Sequence, residues 1–586
     1  MKRKFIWLLF FCNYNLAVYA QVTDTMKWWD PVKNSFPVIE GQAWANELKN
    51  PYDRLPARAE KLVREPVWNL SHDAAGEHIN FITDAKRIIV RYVVENKLQM
   101  PHFPATGVSG VDLYSINSDG GWNWASGAYN FGDTIVYRYN NLELDSTGYK
   151  KGREFRLYLP LYNSIRWLEV GVPPAATLTP LPIRKEKPIV IYGTSIAQGG
   201  CASRPGMGWT SILERRLDHR VINLAFSGNG RLEKEIIDMM AEIDAKAYVL
   251  DCLPNLTNTT DYPLAEVKKR LMESVRLIRM KHPGVPIILT DYAILTGLLN
   301  AAKIKTVKGI NAISKEAFSA LQAEGIKDLY TQEIKLEMDD TVDGTHPNDI
   351  GMEHYAAAYE KNLRIILQEP VGIITTTEPR IQYRDIGTYD WKSRHNELLA
   401  LNQSNPPKIT FFGNSITHYW GGIPKEPKGW GADSWNEILE PKGVRNFGFG
   451  WDRIENVLWR VYHGELDGFK ALQVVLMIGT NNLQNNTNQE IIDGLEFLIK
   501  AIKFRQPDAD ILLMGLLPRR DMEPRVGELN KEIMKLSKQS KVHGAETGNL
   551  FLKNDGKINE ELFRDGLHPN AAGYKALAGF LKSRLK

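Results

Sequence analysis

The sequence predicts two three-layer α/β/α domains in tandem, preceded by an antiparallel β-sandwich. Three observations predict this: a pair of short motifs that occurs twice, an alternation of apolar runs with helical segments through the last two thirds of the chain, and a β-rich first third without that alternation. At 586 residues the chain exceeds one ordinary domain, and 43% hydrophobic with 24% charged residues is a globular composition.

The first element is a leader. Lys2-Arg3-Lys4 precedes apolar Phe5 to Phe11, and a mixed run ends at Val18-Tyr19-Ala20, with small residues at −3 and −1 before Gln21. This reads as a signal peptide over 1–20 and implies export, secreted or periplasmic. A membrane anchor fits less well, because Asn13 and Asn15 interrupt a run already short for a hydrocarbon core of ~30 Å. Phe10 and Phe11 before Cys12 are too large for lipoprotein processing. The formal charge of +4 falls to about +1 without Lys2, Arg3 and Lys4. Near-neutrality excludes a nucleic-acid binder, which needs clustered Lys and Arg against phosphate. Negative mean hydropathy and a single long apolar stretch exclude a multispan membrane protein. After cleavage Cys201 and Cys252 remain, and either one bridge or two buried thiols is compatible with that pair.

Residues 21–183 form the β-rich element. Arg87 to Val94, Thr134 to Tyr139 and Phe155 to Leu159 read as strands separated by Gly, Asn and Asp turns, which suits an antiparallel sandwich. Pro173, Pro174, Pro180 and Pro182 stiffen a linker into the next domain. Trp122, Trp124 and Tyr129 are read as core packing rather than a ligand platform.

The duplication follows, with units at 184–368 and 391–586 joined by a connector at 369–390. Strand-like Pro188 to Tyr192 ends in Gly193-Thr194-Ser195-Ile196, and Ile409 to Phe412 ends in Gly413-Asn414-Ser415-Ile416. Far downstream stand Asp343-Gly344-Thr345-His346-Pro347-Asn348 and Asp565-Gly566-Leu567-His568-Pro569-Asn570. The Ser-to-His intervals, 151 and 153 residues, match. Further strands are predicted at Ala247 to Leu250, Val285 to Leu289, Leu472 to Ile478 and Ile511 to Leu517. Helices are predicted near 209–219, 231–243, 263–282, 350–366, 453–463, 487–505 and 570–585. Continuous apolar strands between helices predict parallel sheets buried on both faces.

A serine where a strand turns into a helix stands at the carboxyl edge of such a sheet, where ligands gather. Its hydroxyl needs a histidine to take the proton, and the histidine needs an acid to orient its ring. The Asp-x-x-His spacing lets the carboxylate reach Nδ1 while Nε2 faces the serine. Oxyanion donors are offered by Asn223 to Asn229 and Asp251 to Asn255 in the first unit, and by Asn446 to Asp452 and Gly479 to Asn482 in the second. One Gly-x-Ser or Asp-x-x-His alone is an ordinary turn, but the same blocks in the same order twice are not. His418, three residues after Ser415, has no acid beside it in sequence and is expected on a helix surface. Trp420, Trp430, Trp435 and Trp451 surround the second serine in sequence, where aromatic faces suit either sugar rings or a core. No Cys/His spacing suits zinc and no Gly-rich loop carries a phosphate-binding Lys, so no metal or cofactor is expected.

The ordered blocks resemble the SGNH (GDSL-like) hydrolase family across nearly all of 184–586. Gly110-Val111-Asp112-Leu113-Tyr114 resembles the signature of an accessory domain found before bacterial members. Asn456 to Leu466 and Gly479-Thr480-Asn481-Asn482 resemble the catalytic subunits of platelet-activating-factor acetylhydrolase. The resemblance implies a flavodoxin-like fold and catalytic Ser195, Asp343, His346, Ser415, Asp565 and His568. It implies oxyanion donors at Gly228, Asn255, Trp451 and Asn481. Thr194 and Asn414 stand where the family usually has Asp, Trp451 where a glycine is usual, and the first unit's third block lacks the Gly-x-Asn spacing. The resemblance implies a serine esterase, and export, a β-sandwich and two unlike esterase units on one chain make the expected activity that of a secreted bacterial enzyme removing O-acyl groups, acetyl by resemblance, from an extracellular polysaccharide. The alternatives are a lipid-directed acetylhydrolase or lysophospholipase-like esterase, and a glycan-binding protein with vestigial esterase units.

Overall fold

Two parallel sheets organise the chain. The computed structural model describes residues 25–143, 152–384 and 388–586; the expected leader, with Cys12, lies outside them. In the first α/β unit the strands Ile189–Gly193, Val221–Ala225, Ala247–Asp251, Ile287–Thr290 and Leu329–Gln332 form one sheet in the order 2-1-3-4-5. The second unit repeats that order with Ile409–Gly413, Val444–Gly448, Gln473–Met477, Asp510–Met514 and His543–Ala545. All these pairings are parallel.

Alternate strand residues feed separate cores. Val190, Tyr192, Ile222 and Leu224 pack with Ile236, Leu271 and Val275, whereas Ile189, Ile191, Val249 and Ile288 pack with Trp209, Tyr355 and Tyr359. Burial on both faces explains why these strands read as unbroken apolar runs. The expected helices appear as Trp209–Leu217, Lys234–Met240, Leu264–Lys281, Asp349–Ile366, Ile454–Tyr462, Asn488–Arg505 and Ala571–Lys582. Three more, Ala301–Ala323, Trp391–Ser404 and Glu523–Gln539, and both fifth strands lie beyond the sequence reading. The fifth strand of the second unit is His-Gly-Ala with two exposed residues, an edge with no apolar signature.

The first third is two antiparallel sheets of five and six strands sharing one core, with Phe81, Leu113 and Leu157 from one sheet meeting Val90, Tyr137 and Val170 from the other. The expected strands are Ile88–Val94, Ile135–Tyr139 and Arg153–Tyr158. Part of the proline-rich linker is itself a strand, Leu178–Pro180, paired to Phe81 to Thr83. An outermost position is where a strand tolerates a residue without an N–H.

This domain is docked, not tethered. The buried Arg54 guanidinium donates to the carbonyls of Asn223 (3.1 Å) and Ala225 (2.7 Å) at the end of the first unit's second strand. Glu154 of the sandwich pairs with Lys392 at 2.8 Å. Ile381 and Tyr383, in the expected connector, belong to the second unit's core. Cys201 and Cys252 are both free and buried, so of the two arrangements compatible with the sequence the structure has the thiols.

Two candidate active sites

The first strand of each sheet lies between strands two and three, so its carboxyl end is the switch point at which connections leave in opposite directions. There the chain turns into one-turn helices, Ser195–Gln198 and Ser415–His418. The residue before each serine is the helix N-cap. Thr194 Oγ1 accepts the N–H of Ile196 (3.4 Å) and Asn414 Oδ1 that of Ile416 (2.9 Å). Capping needs a short side-chain oxygen, which Thr and Asn supply as Asp does. A Cβ on Gly413 would lie 2.1 Å from Thr417 Oγ1, so only glycine lets the helix fold back this tightly.

Each serine meets its distant loop. Ser195 Oγ is 2.9 Å from His346 Nε2, and His346 Nδ1 is 2.7 Å from Asp343 Oδ2. In the second unit Ser415 Oγ is 2.9 Å from His568 Nε2, and His568 Nδ1 is 2.7 Å from Asp565 Oδ2. The other Asp oxygen accepts backbone N–H groups from within the loop, Thr345 and His346 in one unit and Leu567 and His568 in the other. Burial works against ionisation of Asp343, but those donors and the imidazole win and hold its carboxyl at about 2; Asp565 is lowered by the same causes. Both carboxylates therefore stay charged and fix the tautomer that leaves Nε2 toward the serine. Asn348 and Asn570, after the His-Pro pairs, cap the following helices.

The expected oxyanion turns superimpose in their hydrogen bonding. Phe226 N–H donates to Gly193 O and Phe449 N–H to Gly413 O, each at 3.1 Å, and Asn229 and Asp452 close the turns onto Phe226 and Phe449. Gly228 and Trp451 occupy the same place with φ of +69° and +64°. Asn255 Oδ1 accepts Gly230 N–H (3.0 Å), and Asn481 Nδ2 donates to Asp452 O (2.9 Å), so both asparagines are tied to the turn beside the serine.

Profiles of the GDSL-like lipase/acylhydrolase family match residues 186–364 and 411–576, and that of the N-terminus of SGNH-hydrolase-type esterases matches 26–178. The alpha2 subunit of human platelet-activating factor acetylhydrolase IB is 32% identical over 189 residues, 31% of this chain and 78% of that one. The human alpha1 subunit is 28% identical over 200 residues, 33% and 82% of the two chains. A crystal structure from Bacteroides ovatus, presented as a GDSL-like lipase, is 32% identical and covers 59% of this chain and 98% of its own at a TM-score of 0.52. This chain belongs to the GDSL-like lipase/acylhydrolase family. It is a tandem SGNH-like carboxylic ester hydrolase with an N-terminal accessory domain.

Trp451 holds this esterase's second turn, the counterpart of the Gly228 turn, in a left-handed conformation that costs a non-glycine residue about 1 kcal/mol or more.

His418 corrects the sequence reading. It is buried, its Nε2 is 3.0 Å from Glu426 Oε2, and its Nδ1 accepts the N–H of Gly450 at 3.0 Å. It positions the turn that carries Trp451. Its acid partner stands eight residues away across the turn after the serine helix, beyond any local motif. Burial, then the Arg394 guanidinium, push the imidazole down to about 3. The folded protein thus keeps His418 neutral while the unfolded chain protonates it, so stability falls as pH drops from about 6.5 toward 3. Between pH 7 and 5 this is worth about 2 kcal/mol, and His418→Gln should flatten that slope of the unfolding midpoint.

The tryptophans divide. Trp420 and Trp435 are fully buried core, while Trp430, 5.5 Å from the His568 ring, and Trp451, 46% exposed, border the second site. Tyr419 (5.9 Å from the same ring), with Lys428 and Arg564 over the aromatic faces, completes that rim. In the sandwich, Trp124 and Tyr129 are more than half exposed, not core as expected; each lies on a short strand at the edge of its sheet, Trp122–Ala125 and Ala128–Asn130. Trp122 is partly buried beneath Arg156. The accessory domain also reaches the first site, with the His102 ring 5.8 Å from that of His346 and Tyr162 Oη donating to Ser195 O at 3.0 Å. Neither residue carries a local sequence signal, because docking alone brings it there.

Proposed function

We propose that this is an exported tandem esterase that removes O-acyl groups, acetyl first among them, from an extracellular polysaccharide, with Ser195 and Ser415 as nucleophiles. The supporting observation is the same Ser–His–Asp chain, 2.9 and 2.7 Å, at the same sheet edge in both units. The serine oxygen attacks the ester carbonyl while its proton passes to Nε2 of His346 or His568. Gly228 or Trp451 N–H, with the amide of Asn255 or Asn481, receives the oxyanion. Collapse expels the alcohol, which takes the proton from the imidazolium; water, deprotonated by the same imidazole, then releases the acid and restores the serine. A carbohydrate substrate is supported by the aromatic and cationic rim of Tyr419, Trp430, Trp451, Lys428 and Arg564, and by the leader that the sequence predicts.

A lipid ester is the second reading, favoured by one feature of the first unit. Beside Gly344 of the acid–histidine loop lies a recess of about 350 Å³ lined by Tyr292, Ile294, Leu295, Leu298, Ile304 and Val307. Acetate release from a panel of O-acetylated polysaccharides, run beside aryl esters of increasing acyl length, decides between them. The proposal expects acetate release and activity falling with chain length. Activity that rises with chain length and no acetate release would replace it with the lipid reading.

A further inference from the structure

Away from both serines, three side chains from the two α/β units converge. Glu186 precedes the strand Ile189–Gly193, His219 precedes Val221–Ala225, and His463 follows the helix Ile454–Tyr462 of the second unit. Glu186 and His219 therefore stand at the amino edge of the first sheet, the opposite edge from Ser195. Both imidazoles are almost fully buried, with ring centroids 4.3 Å apart.

The outer atom of each group is already committed. His219 Nε2 lies 2.7 Å from Glu369 Oε2, and His463 Nδ1 lies 2.7 Å from the Trp459 carbonyl, so in the neutral rings these nitrogens carry the protons. Glu186 Oε1 accepts the Arg220 N–H (3.1 Å) and lies 3.2 Å from the Arg184 guanidinium. What remains points inward. Among the described residues His219 Nδ1 is buried without a hydrogen-bond partner and stands 3.6 Å from Glu186 Oε2. His463 Nε2 stands 4.0 Å from the same oxygen and 3.3 Å from the Asp218 carbonyl, another acceptor. With both rings neutral in those tautomers, two imidazole lone pairs, a carboxylate oxygen and a carbonyl oxygen face one another. Of the neighbouring cations, Arg184 sits on Glu186 Oε1 and Arg505 on Glu369 Oε1, while Lys246 lies 2.7 Å from Glu369 Oε1 and 3.1 Å from His219 Nε2, on the outer side of the ring.

We propose that Glu186, His219 and His463 bind a divalent metal ion of the zinc class that staples the two α/β units together. Two imidazoles and a carboxylate are a zinc donor set, and a histidine whose far N–H is held by a carboxylate, as Glu369 holds His219, is the usual outer arrangement of such sites. The three donor atoms lie within 4.8 Å of one another. Bonds of about 2.05 Å in a tetrahedron would draw them to about 3.3 Å, with the Asp218 carbonyl or water in the fourth position. Placed at the amino edge of the sheet, the ion takes no part in ester hydrolysis, and the proposal is independent of the substrate.

The test is titration of the chelator-treated full chain with Co²⁺, read by visible absorption, and with Zn²⁺, read by stoichiometry and thermal midpoint. One equivalent is expected to bind with the strong visible bands of a four-coordinate site, Zn²⁺ is expected to displace Co²⁺ and raise the midpoint by several degrees, and turnover at both serines is expected to persist. His463→Gln and Glu186→Gln should each weaken binding at least tenfold. No stoichiometric binding by the wild-type chain would overturn the proposal. So would unchanged affinity in either variant once retained turnover shows it folded. If neither variant folds, the wild-type stoichiometry, spectrum and midpoint shift still decide.

Discussion

Ser195→Ala and Ser415→Ala are each expected to abolish one of two separate turnovers, by on the order of 10⁴-fold or more, and the double variant to abolish both. Both serines stand at the same distance from their histidines and both histidines at the same distance from their acids, so nothing in the triads ranks one site above the other. The rims do differ: His102 and Tyr162 of the accessory domain at the first site, and Tyr419, Trp430 and Trp451 at the second. On an acetylated polysaccharide the two single variants should therefore lose different products. Acetate release, with products mapped for each variant, measures this. Identical losses would show that the two sites do not divide the substrate, and complete loss from one substitution would show the other unit idle.

Arg460→Met is expected to destabilise the second unit by about 3–5 kcal/mol, the cost of leaving buried charges without a partner. Arg460 is wholly buried and meets Asp452 Oδ2 at 3.0 Å, Glu465 Oε2 at 2.5 Å and the Phe447 carbonyl at 3.2 Å, over the ring of Phe449. Burial already raises the Asp452 carboxyl to about 6 despite that guanidinium. Asp452 closes the turn that carries Trp451, so the same substitution should impair the second site while the first keeps its turnover. Denaturation of the variant, followed with a substrate for each site, measures both effects. A midpoint within the error of wild type would mean that the two acids are neutral or rehydrated without Arg460.

The amino-acid order by itself determined the duplication, the parallel sheets and the six triad residues. Each of these is written locally: apolar strands buried on both faces leave continuous runs, and a capped turn after a strand or an Asp-x-x-His-Pro loop needs its few residues in a fixed order. His418 shows the limit. Its partners Glu426 and Gly450 are brought to it by a chain turn and a neighbouring strand, and in sequence it looked like a surface histidine. Trp420 and Trp451 stood alike beside one serine, yet packing sent the first into the core and backbone φ sent the second outward. His102 at the first site and the Glu186, His219 and His463 cluster were decided by tertiary structure alone. Their members come from separate segments, with spacings of 33 and 244 residues among the cluster that no local motif encodes; pairing of neighbouring strands brings Glu186 to His219, and the docking of domains brings His463 to both and His102 to the first site.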